Sequence, residues 1–143
     1  MSVLSDIPET APVVLRALNI RKSFNEEEVL RGVSFDVRKG EVKVFIGPSG
    51  TGKSTLLRCL NRLVEPDAGQ VWLGSDEVTH DSDIDRVRQR MGMVFQNFYL
   101  FDHLTVLRNV EIALRKVLKM PPGKAREVAF FELSKFVDRK SVV

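Results

Sequence analysis

The sequence is short of the features that mark several protein classes. It has a single cysteine, Cys59, among 143 residues, so no intramolecular disulfide can form and a reducing compartment is the simplest setting. No stretch approaches the roughly eighteen apolar residues of a membrane span. Residues 1–12 contain Asp6, Pro8, Glu9 and Pro12 and no apolar run, which predicts a flexible leader rather than a secretory signal. Nine glycines and six prolines are ordinary usage, and no segment is low in complexity, so collagen-like and wholly disordered classes are excluded. An excess of one charge is missing too. The 22 Lys and Arg against 19 Asp and Glu leave a formal net charge of +3, too slight to point to a nucleic-acid partner.

What is present is enough for a folded domain. With 43% hydrophobic residues, a chain of this length can bury about two-thirds of its unfolded surface, and residues 13–143 read as one domain. Residues 13–20 and 29–37 have strand character, with Val33, Phe35 and Val37 on one face, and are expected to pair antiparallel. Between them Asn25 tolerates a left-handed backbone, and Glu26, Glu27 and Glu28 read as a solvated turn. Residues 42–46, β-branched and aromatic, read as a buried strand that ends at Gly47 and Pro48, with Lys43 near its start.

From Lys53, the spacing of Leu56, Leu57, Leu60 and Leu63 predicts a helix that stops around Pro66 and Gly69. Cys59 falls inside it as a small core residue. Residues 70–73 and 77–79 flank Gly74, Ser75 and Asp76, which have hairpin chemistry. A polar link follows, with Arg86, Arg88 and Arg90 expected on a solvated face, and residues 91–95 read as another short strand. Thr105 can cap a helix whose stripe is Val106, Val110, Ala113, Leu114 and Val117, stopped by Pro121 and Pro122. A last helix is expected from about Lys124, with Ala125, Val128, Ala129, Glu132, Leu133 and Phe136 at matching spacing.

One motif carries chemistry. Gly47-Pro48-Ser49-Gly50-Thr51-Gly52-Lys53-Ser54 matches G-x-x-x-x-G-K-[ST] between an expected strand and an expected helix. A triphosphate concentrates negative charge, so a loop that holds it must turn several N–H groups inward. Glycine permits both the positive φ angles and the close approach this requires. The helix start adds unpaired N–H groups and its dipole. Lys53 is placed to reach the β- and γ-phosphates, the Ser54 hydroxyl to take a position on Mg²⁺, and Thr55 to bond a further phosphate oxygen. The alternative reading is a Gly-rich turn with an incidental Lys-Ser pair.

From about Leu18 to about Lys140 the chain resembles the ATP-binding subunit of ABC transporters, particularly importers of polar amino acids. Beyond the phosphate loop, the likeness rests on Lys22-Ser23-Phe24 followed by residues 29–35. It continues through Gly92-Met93-Val94-Phe95-Gln96-Asn97-Phe98-Tyr99-Leu100-Phe101, then His103-Leu104-Thr105-Val106 and Asn109-Val110. Asp102, Arg108 and Asn25 depart from the family's usual residues, and none of them removes a phosphate ligand. The resemblance implies an α/β fold, a P-loop NTPase of ABC type with an N-terminal antiparallel β subdomain. The sequence ends before the family's L-S-G-G-Q signature, its apolar strand ending in Asp-Glu and its switch histidine, so the likeness covers an N-terminal part. Residues 71–77 imitate the Asp-Glu strand superficially but come too early and contain a turn. His80 and His103 also precede the region of the switch histidine and are not expected to be catalytic.

The resemblance further implies that Phe24 stacks on adenine and that Gln96 contacts Mg²⁺ and the attacking water. The loop from Gln96 to His103 would receive transmembrane permease subunits, and a second nucleotide-binding subunit would complete a homodimer at the cytoplasmic face of the membrane. Phe98, Tyr99, Leu100 and Phe101 fit that loop either as a partner surface or as packing for their own domain. ATP and Mg²⁺ are the implied cofactors, and no nucleic-acid partner is expected. The chain alone is expected to bind ATP weakly and to hydrolyse it negligibly. A parallel strand such as residues 42–46 needs neighbours on both sides, and in the family some of these come from later segments. Two other readings stay open: a non-catalytic fragment that binds nucleotide or docks a partner, and another P-loop enzyme such as a nucleotide kinase.

Overall fold

The computed structural model describes residues 10–80, 83–97 and 99–137. Expectations placed on residues 1–9 of the leader, on Phe98 and on residues 138–140 lie outside these. The chain divides into two compact units, one running to Gly92 and the other starting at Met93.

The first unit is built on a hairpin. Strands β1 (Val13–Phe24) and β2 (Glu27–Arg38) pair antiparallel across a two-residue turn. Asn25 and Glu26 both have positive φ, 47° and 69°, the requirement of the turn type whose twist matches the strands. Glu27 and Glu28 were expected in the turn and instead belong to β2, because the turn closes in two residues. β1 shifts register between Ala17 and Ile20, and the amide of Asn19 there donates to Ser34 Oγ at 2.8 Å. A side chain thus satisfies a donor that the bulge takes out of the ladder. The expected later hairpin forms as β3 (Ala68–Leu73) and β4 (Asp76–Glu77), and the sheet order is β2-β1-β3-β4, antiparallel throughout.

Helix α1 (Lys53–Leu60) supplies Leu56, Cys59 and Leu60 to a core shared with Ala17, Ile20, Leu30, Val71 and Val78. Val87 joins them from the short helix α2 (Ile84–Arg88), which the sequence reading missed. Cys59 is fully buried, as expected. α1 ends earlier than its leucine spacing predicted. Arg62 adopts a left-handed φ of 55°, its amide donates to Cys59 O, and Leu57 and Leu63 remain exposed. Arg88 also corrects its expected solvated role. Its guanidinium donates to Asn61 O at 3.1 Å and Arg62 O at 2.9 Å, placing a cation on carbonyls that the helix end leaves free.

Two expected strands are absent. Residues 42–46 run without sheet pairing, and Val42, Val44 and Ile46 are 82%, 70% and 93% exposed. Only the opposite face is anchored, by Phe45, whose ring meets Phe35 edge-on at 5.0 Å. Residues 91–95 are likewise unpaired, with Val94 exposed and Met91 packed on the core. Strand-forming side chains do not suffice here: a strand needs a neighbour's N–H and C=O groups, and among the described residues no segment pairs with either run.

In the second unit α3 (Val106–Lys116) packs on α4 (Pro122–Val137). Thr105 caps α3 as predicted, accepting from the Arg108 amide at 3.3 Å. The predicted stripe is only partly buried, since Val106, Ala113 and Val117 face outward while Val110 and Leu114 are half-buried. α3 ends before the prolines, where Lys119 turns left-handed and the Met120 amide returns to Leu114 O at 3.0 Å. Pro122 starts α4 instead, a position where its missing N–H costs nothing. Ala125 and Ala129 form the buried line of α4, whereas Phe136 and Glu132 are exposed.

Candidate functional site

The phosphate loop is set by backbone geometry. Gly50 and Gly52 both have φ of 84°, and Gly52 occupies the N-cap of α1 with no side chain capping the helix. The first-turn amides are thus left to an outside acceptor, and no acidic residue stands in that turn. A side chain at Gly52 would be both strained and crowded: a Cβ there would lie 2.9 Å from Val29 Cγ1 and 3.0 Å from Leu30 Cδ2. This close approach seats the loop against β2, the strand whose hairpin partner ends in Phe24.

Lys53 folds its ammonium into the loop. It donates to Gly47 O at 2.8 Å, to Pro48 O and to Thr51 Oγ1 at 3.1 Å, while Thr51 Oγ1 donates to Pro48 O at 2.9 Å. A positive charge is therefore held within reach of whatever the amides bind, and its oxygen ligands can be exchanged for phosphate oxygens. Ser54 is exposed and Thr55 half-buried in the first turn of α1, and Ser49 is exposed on the loop. Among the described residues no cluster of His, Cys, Asp or Glu could hold a metal by itself. The exposed Ser54 hydroxyl could hold Mg²⁺ together with nucleotide phosphates, an arrangement that suits a cation favouring one or two protein ligands and substrate oxygens.

Phe24 closes β1 and is 46% exposed. Its surroundings show a residue the sequence reading missed. Asp67 accepts from Lys22 Nζ at 2.6 Å and from the Ser23 amide at 2.7 Å, and its own amide donates to Arg21 O at 2.9 Å. The strand end is clamped, and the Lys22 ammonium is held 5.4 Å from the Phe24 ring centroid. The Lys22 hydrogen bond, followed by that of the Ser23 amide, keeps the Asp67 carboxyl below the usual carboxylate range. No motif spacing points to Asp67, because its partners lie 44 and 45 residues away. By contrast, burial pushes the Cys59 thiol up, which fits a core residue and not a nucleophile.

Gln96 lies in a turn of the second unit and is exposed. The loop after it presents Tyr99, Leu100 and Phe101 to solvent. Asn109 organises that loop: its Oδ1 accepts from the Phe101 amide at 2.8 Å, and its Nδ2 donates to the carbonyls of Phe101, Leu104 and Thr105. In the sequence Asn109 stands out only through the family likeness. A polar side chain just inside a helix that follows an aromatic loop was the available signal.

Fold and loop together define a P-loop nucleotide-binding architecture. The match to the ABC transporter family runs over residues 30–141, and the chain belongs to that family. It is 45% identical over 118 residues to the glutamine transport ATP-binding protein GlnQ of Bacillus subtilis (strain 168), covering 82% of this chain and 49% of that protein. It is 44% identical over 124 residues to the general L-amino acid transport ATP-binding protein AapP of Rhizobium johnstonii, covering 86% and 48%. Among solved structures it is similar to a dimeric ATP-binding cassette in a post-hydrolysis state bound to ADP and Pi. There the identity is 31% and the TM-score 0.69, over 81% of this chain and 54% of that one. The chain spans about half the length of the curated relatives it matches.

Proposed function

We propose that this chain is the nucleotide-holding part of the ATP-binding, energy-coupling subunit of an amino-acid transporter. The observation that carries the reading is residue 52, a glycine with positive φ pressed against β2 at the uncapped start of α1. Polyphosphate oxygens would accept from the amides of residues 50–55. Lys53 would neutralise the β- and γ-phosphates, Ser54 would hold Mg²⁺ and Thr55 a further phosphate oxygen. Phe24 would stack on adenine, a contact suited to an exposed ring at a clamped strand end.

Mg²⁺ supplies charge neutralisation when bound. The chain's own contribution is to bind and orient the nucleotide, with Gln96 assigned to water and Mg²⁺ positioning by its place in the family motif. Tyr99, Leu100 and Phe101 form the surface for permease subunits. A second copy completing a dimer and peripheral placement at the cytoplasmic membrane face complete the proposal. Among the described residues no helix is long and apolar enough to cross a membrane. The names of the relatives support amino acids as the transported class.

Titration of Mg-ATP against the chain, followed by amide-resolved spectroscopy, tests the core of the proposal. Shifts are expected at residues 50–55 and around Phe24, with negligible turnover. Lys53→Ala should weaken binding about 10- to 100-fold, the scale of lost charge-assisted hydrogen bonds. Folded chain with no ATP-dependent shift at the loop would overturn nucleotide binding. Turnover abolished by Lys53→Ala would overturn the expectation that the chain alone is inactive.

A further inference from the structure

The end of β1 overhangs the strand beside it. Register pairing with β3 stops at Arg21 and Ala68, yet β1 continues through Lys22 and Ser23 to Phe24. Asp67 takes the place of a strand partner on that side. Its amide donates to Arg21 O at 2.9 Å and its carboxylate accepts from the Ser23 amide at 2.7 Å, so these two backbone groups stay paired where the ladder has ended.

Residues two apart on a strand share a face, which brings the Lys22 side chain beside the Phe24 ring. The other carboxylate oxygen of Asp67 accepts from Lys22 Nζ at 2.6 Å, and the ammonium stands over the ring, 5.4 Å from its centroid. The Lys22 side chain is only 16% exposed despite its charge, whereas Phe24 remains largely open to solvent. An exposed phenylalanine at a strand end ordinarily turns between rotamers, and stacking on a base would have to freeze it. Here the attraction of the cation for the ring holds the ring before any base arrives. The carboxylate that fixes the cation also fixes the backbone carrying the ring.

We propose that Asp67 is a positioning residue for the nucleobase: acting through Lys22 and the Ser23 amide, it presets the Phe24 ring for stacking and raises the affinity for the base of a nucleotide without touching the phosphates. The inference rests on the reading of Phe24 as the adenine platform, and the experiment separates the two.

Mg-ATP and magnesium tripolyphosphate, which carries phosphates and no base, are titrated against the full chain, and the ratio of the two affinities is read. ATP should bind about tenfold more tightly, the scale of one base stacked on an aromatic ring. Phe24→Ala should remove that advantage. Asp67→Asn keeps an acceptor for the Ser23 amide but loses the charge on Lys22. It should reduce the advantage about threefold, the scale of an exposed cation–ring contact, with tripolyphosphate binding unchanged and no further loss when combined with Phe24→Ala. Lys22→Met takes the cation off the ring and leaves the Ser23 bond in place. It should act in the same way, and it decides the matter if Asp67→Asn disturbs the strand end. A ratio lowered by Phe24→Ala but by neither of the other two would overturn the inference and leave the stacking reading standing. A ratio that Phe24→Ala does not change would overturn both. Equal weakening of ATP and tripolyphosphate by Asp67→Asn and by Lys22→Met would mark a purely structural contact and also overturn the inference.

Discussion

The four-stranded sheet and residues 42–46 use the same kinds of side chain, yet one is paired and the other is bare. In the sheet, β-branched and aromatic residues find partners through two tight turns, at Asn25 and Glu26 and at Gly74 and Ser75. Each of these antiparallel pairs closes within a few residues of chain, so local turn chemistry is enough to set it. β1 and β3 then pair over a longer separation, with α1 packed on the same core. Among the described residues, residues 42–46 have no such neighbour, and a parallel strand obtains one only through a crossover. The lesson is that strand propensity describes a surface able to pair, while pairing itself depends on which segments the fold brings alongside.

The sharpest test of this contrast is truncation at two isoleucines. Ile20 is fully buried in the sheet core and Ile46 is 93% exposed. Ile20→Ala should cost about 2–5 kcal/mol, and Ile46→Ala no more than about 0.5 kcal/mol, read as shifts in denaturant midpoint. Comparable losses at both would mean that residues 42–46 are buried in solution and would break the comparison.

A second pair probes the loop that leads from residues 42–46 into α1 and rests on β2. Gly50 and Gly52 share φ of 84°, but an added Cβ is unobstructed at Gly50 and collides with Val29 and Leu30 at Gly52. Gly50→Ala should cost about 1 kcal/mol and Gly52→Ala about 1–3 kcal/mol, since the second adds a clash to the same backbone strain. Only Gly52→Ala should also displace the loop from β2, seen as shifts at Val29 and Leu30.

The smallest effect concerns pH. Asp67 is held below its ordinary value by Lys22 and Ser23, so its contribution is fully present above the unfolded value and is lost as pH falls through the folded one. Its side chain is 47% exposed, and solvent keeps the effect small. In Asp67→Asn, the acid limb of the stability profile should be slightly shallower than in the parent chain. An unchanged profile would remove Asp67 from the clamp.

Much of the candidate site was legible in the sequence because its requirements are local. A phosphate loop needs glycines at fixed offsets, a lysine and a hydroxyl at a helix start, and all of these lie within eight consecutive residues. Thr105 was legible for the same reason, as a cap defined by its own helix. Asp67, Arg88 and Glu111 were not. The first clamps a strand end 44 residues away, the second donates to carbonyls 26 and 27 residues away, and the third is buried on a helix dense in charge. Spacing within one element carries no information about any of the three.

The amino-acid order by itself determined the sites of the two hairpins, the starts of α1 and α3 and the glycines of the loop between residues 42–46 and α1, because each follows from φ preferences and capping within a few residues. Tertiary structure alone decided which apolar runs became strands, where α1 stopped and which charges found partners. Those outcomes depend on groups far apart in the chain, and their free energies exist only once packing brings them together.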